Sequence, residues 1–212
     1  MEKSVVTIGI VPTGNIGSHI VKSTMTEIQS ILSALYKDSG STIKKVECRI
    51  IPARPIPNSA IAKNLYSGNY NVNPFFTAAA KMKDMADRKR KIQDEPALDK
   101  TIIFTEVPLF SNDNLGGVCG EADKNGSLAV ISLDKLRDAH SKTHDIKERL
   151  VKVTLHEIGH MYDLEHCYNK NCPMSSSLSY HDVDIINKWY CKECSEKMIN
   201  KAEEHYLKWD GG

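Results

Sequence analysis

Short apolar runs alternate with amphipathic stretches in the first part of the chain. A β-branched run over residues 4–12 predicts a buried strand, and the Thr-Gly-Asn at residues 13–15 is typical of a turn. The next stretch predicts a helix that ends near Gly40, and residues 42–51 predict a second strand. The helical spacing is carried by Ile20, Ile28, Ile31, Leu32 and Leu35. Strand, helix and strand in this order are typical of a parallel crossover unit, so the pattern predicts an α/β fold.

Segment 52–74 shows no regular pattern. It contains four of the eight prolines together with Asn and Gly, and we expect it to form an irregular surface flap over a cleft. Pro74 suits the first position of a helix, and the apolar residues after it predict an amphipathic helix that ends in the basic run 87–91. We interpret this run as a solvated helix end rather than a contact with nucleic acid.

The second half of the chain begins with another strand pattern. Residues 101–107 form a nearly continuous apolar run, as expected of a buried parallel strand. Residues 117–122 and 127–133 then flank an Asn-Gly pair, Asn125 and Gly126, which predicts a hairpin with both turn residues at positive φ. A mixed, mostly parallel sheet is therefore expected.

A helix and a different kind of sequence follow the hairpin. Residues 145–162 place apolar side chains on one stripe and predict a long helix. Residues 167–179 are rich in Cys, Pro, Ser and Asn, and only residues 195–207 beyond them predict a further helix. The sequence after the long helix is poor in apolar residues, so we expect something other than a core to stabilise it.

Composition narrows the class of protein. The 212 residues are 41% hydrophobic and 26% charged, which is typical of a folded domain and not of a disordered chain. Lys and Arg number 28 against 27 for Asp and Glu, so the charge of +1 disfavours nucleic acid and an anionic membrane as partners. We find no pattern of a signal peptide or membrane span, and we expect a cytoplasmic, reducing setting in which clustered cysteines bind metal.

Two histidines define the first candidate site. His156 and His160 are four residues apart in the predicted helix, so both imidazoles face the same side, within reach of one tetrahedral zinc ion. His166 follows off the helix and provides a third ligand if the backbone reverses, which leaves one position open for water. Glu157 points about 100° away from His156 and is placed to take a proton from zinc-bound water. Hydrolysis of an amide is the reaction that this pattern predicts.

Four cysteines define a second candidate site. A zinc ion bound by all four would supply the stability that the apolar-poor sequence lacks, and two disulfides are the alternative. The four are Cys167, Cys172, Cys191 and Cys194, the last two in a C-x-x-C motif. Cys48 and Cys119 lie outside the cluster, and we expect both to be ordinary buried thiols. Because His166 and Cys167 are adjacent, we expect the two zinc sites to be coupled.

These motifs together resemble the metzincin clan of zinc peptidases, and within it the archaemetzincins. The resemblance covers residues 156–194 and is carried by His156, Glu157, His160, His166, Cys167, Cys172, Met174, Cys191 and Cys194. It implies one catalytic zinc on the three histidines, Glu157 as the base, a structural zinc on the four cysteines, and Met174 in a turn beneath the histidines.

The resemblance also implies an architecture. Residues 1–212 would form one metzincin-like catalytic domain, in which residues 1–162 are the N-terminal α/β part that ends with the active-site helix. Residues 163–212 would be the C-terminal subdomain with the four-cysteine zinc site. A peptide or protein substrate would lie antiparallel along an edge strand, which residues 117–122 resemble.

Two positions depart from the family pattern. Asp163 occupies the place of a Gly where the chain leaves the helix, so it would be strained if its backbone is left-handed. Ser176 occupies a place where some metzincins have a Tyr, so a further donor to the transition state is unidentified.

Three functions are compatible with these residues. We favour a zinc peptidase, whether it cuts within chains or at their amino ends. The first alternative is a zinc protein of the same fold that binds peptides or partners with little turnover. A zinc-ribbon nucleic-acid module is the second alternative, and the near-neutral charge disfavours it. The sequence shows no heptad repeat, and we expect a monomer.

Overall fold

The N-terminal part of the chain forms the predicted crossover unit. We describe a computed structural model, which places residues 4–57, 68–112, 114–138, 140–176 and 180–207. Strand β1 (Val5–Thr13) leads into helix α1 (Ser18–Asp38), and strand β2 (Lys45–Ile50) returns parallel to β1. The prediction of a parallel strand, helix and strand is confirmed.

A short pair of strands and a second helix follow. Strand β3 (Tyr70–Asn71) pairs with strand β5 (Leu109–Phe110), and helix α2 (Asn73–Ile92) and strand β4 (Lys100–Thr105) lie between them. Pro74 stands in the first turn of α2, as predicted. Residues 58–67 of the predicted flap lie outside the described residues.

The remaining elements complete the sheet and surround the histidines. Strand β6 (Gly120–Ala122) and strand β7 (Leu128–Ser132) form the predicted hairpin. A 3-10 turn then leads to helix α3 (Thr143–Met161), helix α4 (Tyr180–Ile185) and helix α5 (Lys192–Leu207). The turn of the hairpin differs from the prediction, because Asn125 has a φ of 54° and Gly126 is not among the residues with positive φ.

Five strands form the main sheet in the order β2-β1-β4-β7-β6. The pairs β1–β2, β1–β4 and β4–β7 are parallel, and only β6 runs antiparallel to its neighbour. The predicted mixed, mostly parallel sheet is therefore confirmed. Because β6 is the last strand of the sheet among the described residues, one of its two edges has no described strand of the main sheet beside it.

Apolar side chains alternate between the two faces of the sheet. On β1, Ile8 and Ile10 pack in one cluster with residues of α1 and α3, whereas Val11 packs in a second cluster with Phe75 of α2. This period of two is what a strand covered on both faces produces. Helix α3 lies on the face of the sheet that carries Ile8 and Ile10, and it contacts β6 and β7.

The C-terminal residues share the larger of these clusters. Buried side chains after α3, including Val183, Tyr190 and Met198, belong to the same cluster as Ile8 and Ile10 of β1. The expectation that this part lacks a core is therefore wrong, because its few apolar residues are spaced so that most of them face inward. Hydrophobic burial therefore contributes to its stability.

A buried lysine joins the sheet to the end of α3. Lys100 of β4 is fully buried, and its Nζ donates to the carbonyls of Gly126 in the hairpin turn at 2.7 Å and Met161 in α3 at 2.9 Å. The ammonium also lies 4.1 Å from the centroid of the Tyr162 ring. Burial lowers the pKa of Lys100 to about 8, although Asp99 and Asp123 act in the opposite direction.

We predict that Lys100→Met lowers the free energy of unfolding by about 1–3 kcal/mol, because two carbonyls lose their donor. Between pH 8 and pH 10.5 the unfolded chain binds more protons at Lys100 than the folded chain does, so wild type gains stability as pH rises in this window. The difference in free energy of unfolding between wild type and Lys100→Met should therefore become larger as pH rises through this window. Urea denaturation across this pH range measures it, with the exposed Lys89→Met as control, and a difference that narrows would contradict the assignment.

Candidate active site

Helix α3 presents two imidazoles to one point. The Nε2 atoms of His156 and His160 lie 3.0 Å apart. The Nδ1 of His156 is 2.7 Å from the carbonyl oxygen of Pro173, and the Nδ1 of His160 is 2.7 Å from that of Leu164. Since a carbonyl only accepts, each Nδ1 carries the proton and each Nε2 keeps its lone pair. Both rings are thus held in the tautomer that binds a metal ion.

The chain reverses directly after α3 and returns the third histidine. Asp163 has a φ of 63° and donates its N–H to the His160 carbonyl, while the N–H of Leu164 reaches the carbonyl of Gly159. These two bonds form the Schellman ending of a helix, with Asp163 at the left-handed position. The expected strain at Asp163 therefore has a structural basis. The ring of His166 comes to lie 5.3 Å from that of His156 and 5.0 Å from that of His160, measured between centroids.

The three imidazoles fit zinc. One nitrogen from each lies within 4.8 Å of the others. Two nitrogens bound tetrahedrally at the usual zinc distance are roughly 3.3 Å apart, which is close to the separation of the two Nε2 atoms on α3. Burial, with smaller effects of His160 and His166, lowers the pKa of His156 to about 3, so its ring is neutral at physiological pH. Neutral imidazoles are the form that zinc requires.

Glu157 lies beside these imidazoles and against the edge strand. Its side chain is buried, with 4% of the residue exposed. A Cβ at Gly120 would lie 2.6 Å from Oε1 of Glu157, so only a glycine lets the carboxylate approach β6 this closely. Burial, together with the charge of Glu121, raises the pKa of Glu157 to about 8. A cation at the neighbouring imidazoles acts in the opposite direction and favours the ionised carboxylate.

Met174 is fully buried in a turn beneath the histidine helix. A Cβ at Gly159 would lie 2.2 Å from the Met174 sulfur, which explains why a glycine is present inside α3 despite its low helix propensity. The residue before the methionine, Pro173, provides the carbonyl that holds His156. Met174 therefore packs against α3 at Gly159, one residue after the carbonyl that holds His156.

The four clustered cysteines also converge. The sulfurs of Cys167, Cys172, Cys191 and Cys194 lie within 4.8 Å of one another, and all four are free thiols. The sulfurs of Cys167 and Cys191 are 3.8 Å apart, which matches the roughly 3.8 Å expected for two thiolates on one tetrahedral zinc. This separation excludes a bond between these two sulfurs, because a disulfide needs about 2.05 Å.

The backbone connects the two clusters. Cys167 immediately follows His166, and its N–H donates to the carbonyl of Met174 at 2.7 Å. Cys172 lies next to Pro173, whose carbonyl holds His156. The cysteine cluster is therefore one residue away from His166 and one residue away from the carbonyl that holds His156.

A cavity of about 390 Å³ opens over the three histidines and Glu157. Residues of β6 and α4 line its sides, and Ser176 lies on its rim. Because the Ser132 N–H donates to the Cys119 carbonyl, the alternation of an antiparallel ladder turns the backbone groups of Gly120 and Ala122 away from β7. These groups lie on the open edge of the sheet, at the cavity.

The two remaining cysteines differ from each other. Cys48 is a buried thiol, as predicted, and burial raises its pKa to about 12. Cys119 is only half-buried and lines the cavity, so the prediction of an ordinary buried thiol is wrong for it. The reason is that Cys119 directly precedes the edge strand β6 and lies beside the cavity.

Several residues of the cavity carry no signal in the sequence. Val183 and Ile186 contribute from the region of α4, whereas Gly120 and Glu121 belong to residues 117–122, which the family resemblance alone placed beside the substrate. They reach the cavity through strand order and helix packing, whereas sequence patterns report only neighbours along the chain. Val153 is three residues before His156 on α3, so it shares the face of the helix that carries the histidines.

The fold and the site define the class of protein. The sheet is mostly parallel and has an antiparallel edge strand. A helix carries two imidazoles and a carboxylate, a third imidazole follows after a reversal of the chain, and a methionine lies beneath them. These are the features of a metzincin-type zinc peptidase.

Comparison with known proteins shows the family. The model of peptidase family M54 matches residues 10–200. The archaemetzincin of Methanocaldococcus jannaschii is 32% identical over 177 residues, which are 81% of this chain and 87% of the relative. That of Pyrococcus furiosus is 30% identical over 203 residues, 94% of this chain and 95% of the relative. The crystal structure of archaemetzincin from Methanopyrus kandleri has a TM-score of 0.68 at 25% identity, covering 94% of this chain and 97% of that one. The chain belongs to peptidase family M54, the family of the archaemetzincins.

Family membership establishes the activity. The chain is a zinc metallopeptidase that hydrolyses peptide bonds, and peptides are its substrates. The alternative of a peptide-binding protein with little turnover is not favoured. Among the described helices, none combines the length and the apolar character needed to cross a membrane.

We predict that Asp163→Gly leaves the free energy of unfolding unchanged or raises it by up to about 1 kcal/mol. A non-glycine residue in the left-handed region costs about 1–2 kcal/mol, and the lost ion pair with Lys201, at 3.3 Å between half-exposed groups, stabilises by at most about 1 kcal/mol. Urea denaturation of the zinc-loaded protein measures the change. Asp163→Ala is the matched control: it loses the ion pair and keeps the strain, so its stability should fall. If Asp163→Gly clearly lowers the free energy of unfolding, the assignment of backbone strain to Asp163 would be wrong.

Proposed function

We propose that His156, His160 and His166 hold the catalytic zinc and that Glu157 is the catalytic base of this peptidase. The observation that carries the proposal is the convergence of two tautomer-fixed Nε2 atoms, 3.0 Å apart, beside a buried carboxylate at the cavity. These side chains combine a three-nitrogen zinc site with a base in the next position of the helix, which is the donor set of a hydrolytic zinc enzyme.

The substrate adds to β6 as a further strand. The backbone groups of Gly120 and Ala122 are directed to the open edge, so a peptide that pairs with them antiparallel lies beside Glu157. Main-chain hydrogen bonds provide affinity that does not depend on sequence, and they hold the scissile bond in one place. The glycine at position 120 keeps the carboxylate close to this bond.

The reaction depends on one proton that is moved twice. Zinc, when bound, lowers the pKa of water to about 7 and polarises the scissile carbonyl. Glu157 accepts a proton from the attacking water and then donates it to the leaving amine, so the carboxylate returns to its starting state. Its burial keeps bulk water from exchanging this proton between the two transfers.

A second zinc on the four cysteines would have a structural role. The donor set is closed, because four thiolates complete a tetrahedral shell. The contact of Cys167 with Met174 and the adjacency of Cys172 to Pro173 support a role in holding the turn beneath the histidines. Met174 would then fill the space under the site and keep the imidazoles apart from solvent below.

We also propose one catalytic domain, a monomer and a cytoplasmic setting. Residues before and after position 162 share one apolar cluster, which supports a single domain. The outer strand β2 exposes the charged side chains of Lys45 and Arg49, which disfavour pairing with another copy. Free thiols in a zinc-binding cluster suit a reducing compartment.

We predict that Glu157→Gln lowers the rate of peptide cleavage by about 100-fold to 10,000-fold, because proton transfer is lost while the shape is kept. Cleavage of a diverse peptide library, followed by mass spectrometry, measures the rate. Zinc content should match that of wild type, since glutamine leaves the three imidazoles in place. Glu95→Gln, which alters a carboxylate paired with Arg90 on α2, is the control and should cut as wild type does. Equal rates for wild type and Glu157→Gln would remove Glu157 from the mechanism.

We predict that Cys167→Ser releases the zinc of the cysteine site and also weakens zinc binding at the histidines by about 10-fold to 100-fold, the usual effect of disturbing groups that orient ligands. Zinc retained during titration with a chelator, measured by elemental analysis, reports both sites. Cys48→Ser is the control, because it removes a thiol that lies outside both the cluster and the cavity. Histidine-site affinity that stays at the wild-type value in Cys167→Ser would show that the two sites are independent.

A further inference from the structure

One apolar wall of the cavity is formed at the contact of two helices. Val153 of α3 lies opposite Val183 of α4 and Ile186, which follows α4, and all three line the cavity. Val183 is 1% exposed and Ile186 is 5% exposed, so these side chains face inward. An apolar side chain of a substrate fits between such walls, because it exchanges water for hydrocarbon contacts.

Helix α4 cannot hold this wall in place by itself. It has six residues, far fewer than an isolated helix needs to be stable in water. Its position must come from contacts with the rest of the protein. Lys152 provides one of them, since its Nζ donates to the carbonyls of Val183 at 3.0 Å and Asp184 at 3.1 Å.

Arg149 provides the other contact, and it is the more specific one. Its Nε and one terminal nitrogen each donate to a different oxygen of Asp184 at 2.8 Å, a two-point pair that fixes both distance and direction. The second terminal nitrogen donates to the Leu136 carbonyl at 2.9 Å and to Ser141 Oγ at 2.7 Å. Arg149 is 6% exposed, so water does not replace these bonds easily.

Arg149 holds α4 without entering the cavity. It is one turn before Val153 on α3, and neither Arg149 nor Asp184 is among the residues that line the cavity. One side of the guanidinium binds the 3-10 turn and the loop before α3, and the other side binds Asp184 on α4. Arg149 therefore fixes the distance between the wall on α3 and the wall on α4.

We propose that Arg149 is a positioning residue for substrate selection: through Asp184 it sets the width of a pocket, walled by Val153, Val183 and Ile186, that takes an apolar side chain of the substrate. The proposal rests on the proposed function, in which a peptide lies along β6 across this cavity. A pocket of fixed width binds a large apolar side chain more tightly than a small one. If one wall can shift, the pocket adapts to both side chains and the difference in affinity is smaller.

Binding to a protein that cannot cleave tests the proposal. In the Glu157→Gln background, loaded with zinc, affinities are measured for peptides of one sequence in which each position in turn carries Leu or Ala. We expect one position at which Leu binds about 10-fold or more tighter than Ala, the range that a hydrophobic pocket provides. Arg149→Lys keeps the positive charge but loses the two-point hydrogen bonding to Asp184. Asp184→Asn keeps the shape of the side chain but loses its negative charge. Each should reduce this preference by at least about 5-fold.

The controls separate this proposal from a general loss of structure. Arg88→Lys alters an exposed ion pair with Asp84 on α2 and should keep the wild-type preference. Zinc content and the urea midpoint identify folded variants, and affinity for the Ala peptides should change little in them. If folded variants keep the full preference for Leu, Arg149 does not position the pocket. If no peptide binds to the zinc-loaded protein, the assignment of the cavity as the substrate site fails, and this inference fails with it.

Discussion

The reversal of the chain at the end of α3 is the constraint on which the site depends. A helix can direct only two imidazoles, one turn apart, at a single ion, so the third must come from a chain that leaves the helix and turns back. Asp163 makes that turn in a left-handed conformation. The same turn provides the Leu164 carbonyl that orients His160 and carries His166 into place. Helix termination and completion of the ligand set are therefore one structural event.

The segment below the histidines makes this reversal rigid. The Met174 sulfur packs against the bare backbone of Gly159, and the carbonyl of Pro173 holds His156. The cysteine cluster then connects this segment to α5, and Cys172 and Cys194 themselves belong to the main apolar cluster. The cysteine cluster and the hydrophobic core share residues here, which explains why a part of the chain with few apolar side chains is nonetheless continuous with the core.

Features that depend on neighbours in sequence could be predicted, and those that depend on distant partners could not. The crossover unit, the helix α3, and the convergence of three histidines and of four cysteines follow from periodicity and fixed offsets. Helix α4 is too short for a periodic signal, and the pair of Arg149 with Asp184 joins residues 35 positions apart. The approach of Glu157 to Gly120 depends on the order of strands in the sheet, which no local pattern reports. The turn at Asn125 differs from the hairpin rule because distant residues bind it. The carbonyl of Gly126 accepts from Lys100, and the N–H of Asn125 donates to the carbonyl of His160 on α3.

The unequal exposure of the three imidazoles has a consequence for how metal is exchanged. His156 and His160 are partly buried on the helix, whereas His166 is exposed at the rim. In the proposed zinc site, an ion that leaves would move toward solvent past His166, so this imidazole would be the first to release it. The rate of exchange would then depend on the stiffness of the backbone at His166, which is continuous with Cys167. A metal ion on the four cysteines would therefore slow the loss of an ion held by the histidines.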